Sequence, residues 1–128
     1  MQYQYQFKKL DVWKLSIELT KTIYQLTQHF PDYEKFGLSN QIRRASVSIS
    51  SNIAEGSGCI SPKNQARYYE IAFGSLMEVT SQLFLAKELG YVSEDIFNIV
   101  RPSINPIAVK LSTLRSSARK RASNLKPH

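Results

Sequence analysis

Residues 41–58, read as QIRRASVSISSNIAEGSG, crowd two adjacent arginines, five serines, an asparagine and a glutamate into one short stretch. Three kinds of chemistry draw on such residues: serine nucleophilic catalysis, metal binding by carboxylates, and phosphate capture by paired arginines. A nucleophile needs a base within hydrogen-bond reach and a third group that orients the base. The chain's two histidines, His29 and His128, lie far from the serines in sequence. Cys59, the single cysteine, sits in a Gly-Ser turn without a neighbouring histidine and is read as a bystander thiol. A bundle di-iron site needs Glu-x-x-His on each of two helices, and neither histidine follows a glutamate by three. Gly56-Ser57-Gly58 lacks the preceding strand and the Gly-Lys-Ser/Thr of a phosphate-cradling loop. No enzymatic activity, metal or cofactor is expected.

The polar residues make more sense as a row. On a helical projection Gln41, Arg44, Ser48 and Glu55 share one narrow stripe, with Asn52 on its border and Arg43 pointing elsewhere. Arg44 and Glu55 lie about 16 Å apart along a helix, so they cannot pair with each other. Folding the next helix back would bring Arg67 beside Glu55 and set Glu78 level with Gln41 and Arg44. An Arg44–Glu78 pair would then join two copies of the chain. Gln41, Arg44, Asn52, Glu55 and Glu78 are expected to form a structural polar seam that sets helix register or subunit docking. That reading is preferred over a ligand or phosphate site built on Arg43 and Arg44.

A second candidate site lies at the other end of the sequence. Residues 1–100 carry ten Lys/Arg and ten Asp/Glu, whereas Arg101, Lys110, Arg115, Arg119, Lys120, Arg121 and Lys126 follow with no acid among them. The whole net charge of +7 therefore sits in the last quarter of the chain. A basic segment on a neutral body is an electrostatic footprint for nucleic acid. The candidate contacts are Arg115, Arg119, Lys120, Arg121 and Lys126, helped by Lys63 and Arg67.

These residues must be positioned by helices. Leu10 to Phe30 repeats apolar residues at steps of three and four, and Pro31 breaks the pattern. Leu38 to Ser57 places Leu38, Ile42, Ala45, Ile49 and Ile53 on one stripe, with Gly56 and Gly58 expected to stop it in the left-handed conformation. A third helix opens at Ser61-Pro62, a good cap followed by proline at the first helical position. It runs through Tyr69, Ala72, Leu76, Val79, Leu83 and Ala86 and is closed by Gly90. The fourth starts after Ser93 with Ile96, Val100, Ile104, Ile107, Leu111, Leu114 and Ala118. Pro102 and Pro106 fall within it, each costing roughly 3 kcal/mol in a helix interior, so a kink or a break with restart is expected near residues 100–106.

The fold expected is all-α, an antiparallel up-and-down four-helix bundle over residues 10–119, with an N-terminal arm (1–9) and a basic C-terminal tail (120–128). Two helices carry apolar residues outside their main stripe: Leu10, Trp13, Ile17 and Tyr24 on the first, and Ile71, Leu85 and Leu89 around Gly74 on the third. A lone bundle needs one buried face per helix. Trp13, Ile17, Tyr24, Ile71, Gly74 and Leu85 are therefore candidates for an interface between copies. No apolar run approaches the ~20 residues of a membrane span, and no signal peptide pattern is present at the start. A cytoplasmic protein is expected.

Three stretches in this order carry a resemblance: FKKLDVWKLSIELTKTIYQLTQHFP, FGLSNQIRRASVSISSNIAEGSG and YYEIAFGSLMEVTSQLFLAKELGYVS. The most specific pieces are Leu38, Gln41, Arg43 and Arg44, the run Asn52-Ile53-Ala54-Glu55-Gly56, and Gly74-Ser75-Leu76 followed by Glu78. From Phe7 to Ser93 the chain resembles the four-helix-bundle family of 23S rRNA intervening-sequence proteins, related to the accessory variability determinant of diversity-generating retroelements. The resemblance implies an antiparallel bundle assembling into a homopentamer, with a basic surface suited to RNA or DNA and no known enzymatic activity. The prolines and basic tail lie outside the stretch that carries it. The rival reading is an adaptor that binds another protein through apolar helix faces.

Overall fold

The computed structural model describes residues 2–125. Its helices are α1 (Asp11–Thr27), α2 (Leu38–Gly58), α3 (Pro62–Glu88), α4 (Glu94–Val100) and α5 (Ile104–Asn124). Short 3-10 turns occupy Gln6–Lys9, Asp32–Glu34 and Arg101–Ser103. There is no strand among the described residues, and the Ser-Val-Ser-Ile-Ser run lies inside α2. Its helical period decides this: Ile42, Ile49 and Ile53 are fully buried and Ala45 nearly so. The alternating serines take helical roles, Ser46 and Ser50 donating back to the carbonyls of Arg43 and Val47.

The molecule is a four-helix bundle whose fourth rod is α4, a turn and α5. α1 and α2, α2 and α3, and α3 and α5 run in opposite directions, because contacts climb one helix as they descend the next. Arg43 donates to Thr27 Oγ1 at 2.6 Å, while Thr20 donates to the Ser46 carbonyl at 3.1 Å. Ser48 and Ser75 share a hydroxyl–hydroxyl bond at 2.8 Å across α2 and α3. Arg119 and Arg121 of α5 reach Glu70 and Gln65 of α3. Leu19, Ile23, Ile42, Ile49, Leu76, Leu83, Ile107 and Leu111 meet in one continuous core.

Helix ends follow local chemistry. Ser61 and Ser93 accept the Asn64 and Ile96 amides, supplying two of the acceptors that a helix start lacks. Gly90, at φ +79°, closes the end of α3. Gly56 and Gly58 do not stop α2 in the expected way, since both are helical and Gly90 is the sole described residue with positive φ. The chain simply turns extended at Cys59.

The two prolines interrupt the fourth rod at little cost. Pro102 falls in the 3-10 turn and Pro106 in the first turn of α5, where backbone N–H groups have no intrahelical partner to lose. The buried stripe keeps its steps of three and four across the prolines, through Phe97, Val100, Ile104, Ile107 and Leu111. Ile96, expected on the inner stripe, is 43% exposed, and Phe97 fills the core at 5% instead. α5 continues to Asn124, so residues 120–124 extend the helix. At the other end the arm lies back on α1, with the Phe7 ring tilted against Trp13 at 5.0 Å between ring centres.

Candidate nucleic-acid interface

The turn at Cys59–Ser61 starts α3 at the end of the bundle where α5 finishes. Two basic segments far apart in sequence therefore become neighbours. Lys63, Arg67 and Arg119 line one open cleft of about 670 Å³, with Glu70 as its acid. Arg119 Nη2 donates to Glu70 Oε1 at 2.7 Å, with both side chains more than half exposed. Lys63 and Arg67 make no hydrogen bond or ion pair with any described residue. Beneath them Ala66, Tyr69 and Ala118 form a small buried cluster. Burial pushes the Tyr69 hydroxyl above its ordinary pKa, and the nearby Arg121 charge opposes that shift.

The other cations diverge. Arg121 donates to Gln65 Oε1 of α3 at 2.9 Å. Lys120 projects from another side of α5, beside Ser116 and Ser117. Arg115 lies over the Phe73 ring at 4.6 Å, with its Nε buried and without a partner among the described residues. It is a packing arginine more than a free charge. Lys126 lies outside the described residues.

Nothing in the sequence singles out Glu70, which enters the site through its pair with Arg119. An exposed pair of this kind contributes about 0–1 kcal/mol, so its main effect is to lower the local positive field. Glu70→Gln is expected to raise affinity for a polyanion roughly fivefold at low salt, corresponding to about 1 kcal/mol, with stability nearly unchanged. Titrating a labelled oligonucleotide into both proteins checks this.

A family model for the 23S rRNA-intervening sequence proteins matches residues 8–113. The chain belongs to that family. The match runs beyond Ser93, through α4, both prolines and the first half of α5, so the prolines are not the departure that the sequence implied. Only the described segment from 114 onward, with Arg115, Arg119, Lys120 and Arg121, lies past it at this end. The fold is similar to the crystal structure of a protein of unknown function from the S23 ribosomal protein family of Bacteroides thetaiotaomicron. The two share 23% identity and a TM-score of 0.75, over 81% of this chain and 97% of the other. No curated protein matches the chain.

Within the family match, the polar row splits in two. Asn52 donates to the Ser48 carbonyl and hydroxyl, and Ser48 continues to Ser75, giving a hydrogen-bonded link between α2 and α3. Gln41, Arg44, Glu55 and Glu78 are all exposed, and their side chains have no hydrogen bond or ion pair to a described residue. The Glu55–Arg67 contact does not form within the chain. Arg43 stacks on the Tyr24 ring at 4.7 Å and joins α1 to α2.

The apolar candidates also differ among themselves. Trp13 is half-buried against its own core and Phe7, and Ile17 is half-buried. Tyr24, Ile71 and Leu85 are 41%, 42% and 47% exposed, and a Cβ at Gly74 would meet open space. Among the described residues no cluster of His, Cys, Asp and Glu could hold a metal, and no helix is long and apolar enough to cross a membrane.

Proposed function

We propose that this chain is a non-enzymatic, cytoplasmic bundle protein that assembles with copies of itself and binds RNA or DNA without sequence specificity. The observation that carries the binding half is the convergence of Lys63, Arg67 and Arg119 on one cleft in which Glu70 is the lone acid. Arg121, bonded to Gln65, adds positive charge at the same end of the bundle. Cations so arranged bind phosphates by releasing condensed counterions, so affinity falls with salt at a log–log slope near −0.7 per phosphate on single strands and −0.9 on duplex DNA.

The test is fluorescence anisotropy with RNA and DNA across a salt series. The triple variant Lys63→Gln, Arg67→Gln, Arg119→Gln is expected to flatten the slope by about 2 on a single strand. No binding at low salt, or the same slope in the variant, contradicts the proposal. So does unchanged binding after deletion of residues 115–128.

For assembly, the supporting observation is the outer face of α3, where Ile71, Gly74 and Leu85 lie exposed beside the unpaired Glu78. A homopentamer is the assembly that the family resemblance implied. Gly74→Leu is expected to shift light scattering toward the monomer with helical content retained, because a side chain there blocks close approach of a neighbouring backbone. A wild-type monomer in dilute solution refutes this half. Salt-tolerant capture of an unrelated protein on the same face would favour the adaptor reading.

A further inference from the structure

The cleft between the start of α3 and the end of α5 has a feature that phosphate binding alone does not require. Its charged groups stand over an apolar floor made by Pro62, Ala66 and Ala122, and Leu125, 69% exposed, forms an apolar lip. A duplex presents its phosphates on outer rails and hides its bases in the stack. Three lysines or arginines on a flat surface would satisfy it, and an apolar recess would remain empty. An unpaired nucleotide is different, since it offers a phosphate and a flat, weakly polar base at the same point.

We infer that this cleft takes one unpaired nucleotide of a single-stranded polynucleotide, its phosphate on Lys63, Arg67 and Arg119 and its base on the apolar floor. The inference rests on the nucleic-acid reading above and sharpens it from any polyanion to single strands. Size agrees: about 670 Å³ lies within the roughly 300–1,000 Å³ of small-molecule sites. Chemistry agrees as well. Guanidinium planes stack on bases, and Arg67 has no described partner to hold it away from one. The Arg119–Glu70 bond is exposed, so a phosphate can displace the carboxylate without uncovering a buried charge.

The floor and the charges can be altered separately. Ala122 is half-buried on α5, and Ala122→Leu fills the recess while leaving every cation in place. Leucine is nearly as good a helix former as alanine, and circular dichroism verifies the fold. Ser123→Leu, at an exposed position lining the same cleft, is the second filler in case the first perturbs packing.

Anisotropy is measured with a single-stranded RNA and with a duplex of matched phosphate number, in parallel. Each filler is expected to weaken the single strand about tenfold, near 1.4 kcal/mol, and to leave the duplex unchanged. In competition, a nucleoside 5′-monophosphate is expected to displace the single strand at lower concentration than inorganic phosphate. Equal losses on both polynucleotides, no loss on either, or equal competition by inorganic phosphate overturns the inference while the phosphate-binding reading stands. Absence of all polynucleotide binding at low salt overturns both.

Discussion

Ile49→Ala is expected to remove about 2–5 kcal/mol of folding stability. Ile49 has no solvent exposure and sits at the middle of α2, among the residues of the main core. α2 packs against both α1 and α3, so the hole left by the missing methyl and ethyl groups lies between rods that cannot easily close in. Lost transfer free energy and lost dispersion contacts then add. Against the roughly 5–15 kcal/mol that holds a domain of this kind together, the loss is a large share of the total. Urea unfolding followed by circular dichroism measures it, as a lower midpoint at unchanged slope. A loss under about 1 kcal/mol would mean that the core is far more deformable than close-packed interiors are.

Gly56→Val is expected to be nearly as costly, for the opposite reason. A Cβ at Gly56 would come within 2.7 Å of Tyr69 Cε1 and 3.2 Å of Tyr68 Cβ. The Tyr69 ring is 4% exposed and cannot swing aside. Overpacking of this kind typically costs about 1–3 kcal/mol, and valine adds two methyl groups beyond the Cβ. Gly58→Ala is the matched control. Two residues on, the same helix has open space around the position, so alanine should stabilise by up to about 1 kcal/mol through helix propensity. Thermal unfolding of the two variants is therefore expected to move in opposite directions. Stabilisation by both would show that α2 and α3 do not approach closely at Gly56.

The contrast between these two glycines marks the limit of local reading. From sequence both looked like helix stops, because glycine near the end of an apolar period commonly ends a helix. Only the helix crossing reveals that Gly56 exists to admit the Tyr69 ring, a residue thirteen positions away. Ile96 and Phe97 show the same limit. Ile96 and Phe97 stand four and three residues before Val100, both compatible with the inner stripe, and packing against Phe84 at 4.9 Å places Phe97 inside while Ile96 is 43% exposed.

The polar candidates behaved similarly. Side chains that bond within one helix, such as Asn52 to Ser48, follow from spacing, whereas Glu55 and Arg67 required a guess about how two rods rotate about their axes. In the structure Glu70 holds Arg119 instead, across forty-nine residues of sequence.

The sequence by itself determined four rods, the serine caps that begin α3 and α4, the glycine that ends α3, and the placement of excess charge in the last quarter. Apolar period and capping act over one or two turns, so they survive in any context that buries the stripe. Tertiary structure alone decided which cations share a cleft, which acid joins them, and that an apolar floor lies between. Those depend on the relative rotation and offset of α3 and α5, set by packing summed over the whole core and encoded in no single segment.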